Sequence, residues 1–161
     1  MASSIFFILT LLSALGCGLM AGIFFIFSNT VMSALGQLQP PKGIAAMQSI
    51  NTTILNTLFF IVFFGTAVIS VVLAVSLLWM WGQPGSIYII LGVLCYLVGS
   101  FLVTIVFNVP MNEALDKVKP DSIEAANLWD KYLTNWTAWN HVRTVACLLG
   151  SLLFTLALRL Q

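Results

Sequence analysis

Between Met1 and Asn112 this chain carries a single charged side chain, Lys42. A fold that faces water on all sides carries about a quarter charged residues, because its surface must be solvated. Here 7% of 161 residues are charged and 60% are hydrophobic, which excludes a soluble globular enzyme and a disordered chain. A net charge of +1 excludes the basic footprint of a nucleic-acid binder. A bilayer-spanning helix needs roughly 20 apolar residues, and the chain divides into four such stretches, about 5–32, 52–81, 86–108 and 138–160. The expected fold class is all-α: a polytopic membrane protein, an antiparallel bundle of four transmembrane helices, forming one domain over residues 1–161.

The first stretch lacks a basic leader and runs past the roughly 7–15 apolar residues of a signal core, so it reads as a retained helix. The faint cleavage box at Ala14-Leu15-Gly16-Cys17 lies inside an unbroken apolar run. Cys17, Cys95 and Cys147 each fall within a span, where a thiolate is disfavoured, and read as small core residues. Metal-site spacing is absent, since there is one His and no CxxC.

Punctuation between the spans is clear. Pro40-Pro41 ends the first helix, and Trp81 to Gly85 forms a short uncharged turn. The second helix begins near Ile44 and runs through Gln48 into the bilayer. Pro110 breaks or kinks the third. Asp121, with Glu124 three residues on, has the spacing of a capping box. Beyond it no proline interrupts the chain, so a single helix runs to Leu160, its first part (121–137) an amphipathic extension outside the membrane. Lys42, Lys117, Lys119 and Lys131 lie on one side by helix parity and Arg159 alone on the other. The positive-inside rule therefore places the long loops in the cytoplasm and both termini outside, as in a bacterial inner membrane. Ala14, Gly18 and Gly22 form a small-residue row, which serves packing within the bundle or contact with a second copy or membrane partner.

The uncharged polar residues collect at one end. Ser28 and Asn29 close the first span; Gln48, Asn51, Thr52 and Asn56 open the second. Asn108 and Asn112 close the third, and Trp136, Asn140 and Arg143 open the fourth. In an antiparallel bundle these four ends share one membrane face. Gln48, Thr52 and Asn56 recur at i, i+4, i+8, and so do Asn108 and Asn112 if the helix continues through Pro110. Trp129, Tyr132, Trp136, Asn140 and Arg143 form one stripe on the last helix. Arg143 sits inside an apolar run with no carboxylate on its helix face, a costly placement that marks a candidate functional residue. Interfacial anchoring or helix–helix glue accounts for any one of these residues. Their convergence at one face points to a pocket.

The ordered elements Gly18-Leu19-Met20-Ala21-Gly22-Ile23-Phe24-Phe25, Met47-Gln48-Ser49-Ile50-Asn51, Asn108-Val109-Pro110-Met111-Asn112 and Trp136-Thr137-Ala138-Trp139-Asn140-His141-Val142-Arg143-Thr144 resemble the small four-helix membrane family that includes the anthrone oxygenases. The resemblance covers nearly the whole chain and implies oxidation of a planar phenolic or anthrone-like molecule by O2 without flavin, metal or other cofactor. The sequence is compatible, offering neither a dinucleotide fingerprint nor a metal cage. Under that implication Arg143, Asn140 and His141 are the candidate catalytic residues, with His141 as the sole histidine base. Gln48, Asn51, Asn108, Asn112, Trp136 and Trp139 are the candidate substrate-binding residues, the amides holding oxygens and the indoles stacking on rings. The alternatives are a non-catalytic membrane protein, binding a small ligand or an assembly partner, and a haem protein with His141 as axial ligand.

Overall fold

The computed structural model describes residues 2–80 and 82–161. Trp81, where the sequence reading ends the second span, lies outside the described residues. Among these residues the regular structure is helical, without strands. Helix α1 spans residues 2–36, α2 is Pro40–Thr53, α3 is Thr57–Met80, α4 is Ser86–Asp116 and α5 is Ile123–Leu160. Four of them, α1, α3, α4 and α5, are long and apolar enough to cross a membrane. They close a ring in which α1 packs on α3 and α5, and α4 packs on the same two. Large apolar side chains such as Leu58, Val68, Leu78, Val98 and Leu148 stay exposed along the ring, as lipid-facing positions do.

The short helix α2 is the main departure from the expected second span. Pro40 and Pro41 occupy its first turn, where the missing N–H groups have no partner to lose. It then stops at Thr53 instead of continuing into the bilayer. The Thr52 and Thr53 hydroxyls both donate to the carbonyl of Ser49, at 2.9 and 2.8 Å, and so compete with the backbone ladder at the helix end. Asn56 opens α3 in the manner of a cap, its Oδ1 accepting from Phe59 N at 3.1 Å. The expected face of Gln48, Thr52 and Asn56 is therefore broken between two helices.

Helix α4 also differs. Pro110 neither breaks nor ends it, and the helix extends to Asp116. Two wide, π-type turns, Leu97–Leu102 and Thr104–Asn108, precede the proline, and Val109 N reaches back to Thr104 O. The looser winding re-routes the carbonyls that a proline leaves without a donor. A third wide turn, Phe27–Val31, sits in α1. Helix α5 is continuous for 38 residues, about 57 Å at 1.5 Å per residue. Its cap is Ser122 and not Asp121, since Ser122 Oγ accepts from Ala125 N at 3.1 Å. The turn before α4 relies on Gly82 and Gly85, whose φ values of +91° and +87° favour glycine.

Two apolar clusters stack along the bundle. The longer one, centred on Cys17, Leu73, Tyr96 and Phe154, fills the span region. The second gathers Met32, Leu35, Ile44, Met47, Leu115, Trp129, Tyr132 and Trp136 where α2 lies against the ends of α1, α4 and α5. Within it Trp129, Tyr132 and Trp136 stack in series at 5.6 and 5.9 Å along α5. The small-residue row of α1 divides. Ala14 is buried and its carbonyl accepts from Ser151 Oγ at 3.0 Å, whereas Gly18 and Gly22 are exposed.

Candidate functional site

A cavity of about 230 Å³ lies where the two apolar clusters meet. Helix α1 contributes Ile23, Phe24 and Phe27, and α2 contributes Met47, Ile50 and Asn51. The linker 54–56 and the start of α3 add Ile54, Leu55 and Phe59. Helix α4 supplies Thr104, Asn108, Val109, Asn112, Glu113 and Asp116; α5 supplies Trp136, Asn140 and Arg143. Thr104, Asn108, Asn112 and Asp116 recur every four residues, so one stripe of α4 lines the cavity from half-buried Thr104 through buried Asn108 to exposed Asp116, whose end is the cavity's mouth.

Arg143 is 5% exposed. Its Nη2 donates to Asn140 Oδ1 at 2.6 Å and its Nη1 to Thr104 Oγ1 at 3.2 Å. The guanidinium lies over the rings of Phe24, at 4.2 Å, and Trp136, at 5.2 Å. All of these partners are neutral, and its buried Nε has no partner among the described residues. Cation–π contact eases the burial of such a charge without neutralising it.

Asn140 holds that arginine in place. It is fully buried, and both of its N–H groups are used, one on Phe24 O at 2.6 Å and one on Ser28 Oγ at 2.5 Å. Its oxygen accepts from Arg143, so the side chain ties α1 to α5 and aims the guanidinium. Asn108 is 1% exposed; its Nδ2 donates to Trp136 O at 3.2 Å, while its buried Oδ1 has no donor among the described residues. Asn112 Oδ1 accepts from Tyr132 Oη and Trp136 Nε1, both at 2.8 Å, which fixes the indole plane in the wall. Asn51 Nδ2 donates to Asp116 Oδ1 at 3.2 Å at the mouth.

Six of the nine sequence-derived candidates therefore share one cavity: Arg143, Asn140, Asn51, Asn108, Asn112 and Trp136. The other three do not line it. Gln48 Nε2 donates to the carbonyls of Leu115 and Val118, at 2.9 and 3.0 Å, and so closes the C-terminal end of α4. Trp139 stacks on Phe107 with ring centroids 3.6 Å apart. His141 is exposed and lines a shallow groove on the outer face of α4 and α5 with Leu94, Cys95 and Gly99. One residue after Asn140 on a helix is a turn of about 100°, enough to point it elsewhere.

The sequence reading missed Phe24, Phe27, Met47, Thr104, Glu113 and Asp116. For Thr104 and Asp116 the signal is the four-residue recurrence through Asn108 and Asn112, which holds only because the helix continues past Pro110 instead of breaking or kinking there. Among the described residues no three of His, Cys, Asp and Glu gather closely enough to hold a metal ion. What the walls offer is an aromatic slot, a buried cation and an acceptor without a donor, a combination suited to a flat molecule bearing an acidic hydroxyl or carbonyl.

A family model described as anthrone oxygenase matches residues 58–153, which include α4 and α5 down to Arg143 and beyond but not α1 or α2. No curated protein and no solved structure gives a match.

Proposed function

The chain belongs to the anthrone oxygenase family, and we propose that it is a membrane-embedded oxygenase that converts an anthrone-like planar phenol to the quinone with O2 and no cofactor. The observation that supports this most directly is Arg143, a buried cation on the cavity wall whose hydrogen-bond and ring partners are all neutral. An isolated cation at that depth calls for an anion, and a phenolate or enolate oxygen is one that an apolar slot can also hold by its rings. Phe24, Phe27 and Trp136 are the rings that line the slot beside it.

In this reading the C–H bond between the two outer rings breaks, and its electron pair delocalises onto the ring oxygen held by Arg143. The proton leaves through the mouth. The carbanion is oxidised by O2, a C–O bond forms at that carbon, and loss of the second hydrogen gives the quinone. One anthrone and one O2 yield one quinone and one water, so two hydrogens leave carbon and the second oxygen atom ends as water. Arg143 lowers the barrier by stabilising charge that grows as the C–H bond breaks, and Asn140 acts as a positioning residue through it. We further read the orientation as both termini outside the cytoplasm of a bacterial inner membrane, with the cavity mouth at the lysine-rich face.

Detergent-purified protein mixed with a simple hydroxylated anthrone should form quinone faster than a no-protein blank, and only when O2 is present. A trace equal to the blank in air would remove the oxygenase reading and leave a ligand-binding bundle. His141→Ala should change that rate by no more than about twofold, as expected for a surface substitution away from the cavity. A large loss in this variant would place the proton transfer on the outer face instead.

A further inference from the structure

The cavity is electrically polarised along its length, and its mouth has a different chemistry from its floor. Arg143 and the donor-less Oδ1 of Asn108 lie among the buried wall residues. Glu113 and Asp116, one helical turn apart at the end of α4, line the same cavity at its exposed end. Asp116 is held there by Asn51, itself 6% exposed, through the 3.2 Å bond to Oδ1. The neighbouring Lys117 and Lys119 are exposed and do not line the cavity, so the mouth's own charge is negative.

We propose that Glu113 and Asp116 form an acidic collar that selects uncharged planar phenols over carboxylated ones and admits them hydroxyl-first. The inference rests on the reading of the occupant as a planar phenol and goes beyond it by assigning specificity. A phenolic hydroxyl arriving at the floor supplies the donor that Asn108 Oδ1 lacks, and its oxygen, once ionised, meets Arg143. A carboxylate on the remote ring is then left between two side chains of the same sign. Like charges repel here by an amount that counter-ions reduce, so the selection is salt-dependent. Turning such a ligand around does not help it, since its carboxylate would have to pass the collar and shed its water against Phe24 and Trp136.

The test is binding, read by quenching of tryptophan fluorescence with Trp136 in the wall. The probes are a hydroxylated anthraquinone and its analogue carrying a carboxylate on the ring remote from the hydroxyls. Wild-type protein should bind the neutral probe about tenfold more tightly in about 20 mM salt, with the ratio shrinking in about 500 mM salt. In the double variant Glu113→Gln, Asp116→Asn the ratio should fall to near one. Both replacements are isosteric, and the side-chain oxygen kept in Asp116→Asn still accepts from Asn51. Equal or tighter binding of the carboxylated probe by wild type would overturn the collar, as would a ratio unchanged in the double variant or binding of neither probe. Aerobic quinone formation is scored separately. Discrimination in binding without turnover keeps the collar and removes the oxygenase, and turnover without discrimination does the reverse.

Discussion

Arg143→Leu should lower kcat/KM for a hydroxylated anthrone by roughly 10²–10³-fold, the usual loss when a preorganised charge partner is taken from a developing oxyanion. The protein should nonetheless fold. Leu fills much of the space between Phe24 and Trp136, and the relief of no longer burying an unpaired charge offsets the roughly 1–3 kcal/mol for leaving Asn140 Oδ1 without a donor. What the variant gives up is the hydrogen bonds to Asn140 Oδ1 and Thr104 Oγ1. Arg143→Lys should recover part of the rate, since the charge remains while the forked contact to two partners does not. The pair is checked by steady-state kinetics alongside thermal unfolding in the same detergent. Wild-type turnover in the leucine variant would show that the chemistry lies elsewhere.

Asn140→Leu should act on both stability and rate. Three bonds meet at this side chain, and its removal leaves Phe24 O, Ser28 Oγ and the Arg143 guanidinium with lost partners in a buried place. Stranding buried polar groups costs about 1–3 kcal/mol each and more beside a charge, so a loss of about 3–5 kcal/mol is expected. The measure is the unfolding midpoint in detergent with increasing denaturant. The same variant should lower turnover, because Arg143 is no longer aimed from α5 toward the cavity. A midpoint equal to wild type would mean that Asn140 does not hold α1 to α5.

These two residues were legible before any coordinates. An arginine and an asparagine inside an apolar run, three residues apart, stand out because lipid makes unsatisfied polar groups expensive. Asn108, Asn112 and Trp136 were legible for the same reason, together with the rule that antiparallel helices bring alternate ends to one face. Local spacing led elsewhere at His141, Trp139 and Gln48. Each sits close in sequence to a cavity residue, yet the helix rotates His141 onto the outer face, packs Trp139 on Phe107, and spends Gln48 on the carbonyls of α4. Glu113 and Asp116 were overlooked for the opposite reason. They lie beyond residue 108, the expected end of the third span, whereas wide turns before Pro110 carry α4 onward to Asp116 and bring them to the cavity.

The sequence by itself determined that the chain is a bundle of four lipid-facing helices with its asparagines and Arg143 gathered toward one end. Hydrophobic length and the scarcity of charge leave no other way to satisfy the backbone in a bilayer. Only the tertiary structure decided which of those polar groups face one another. That choice depends on where a helix is interrupted, as at 54–56, and on how many residues its turns contain, as in α4 before Pro110. A shift of one residue rotates a side chain by about 100°, so small changes in winding sort neighbours into cavity wall, helix cap or lipid-facing groove.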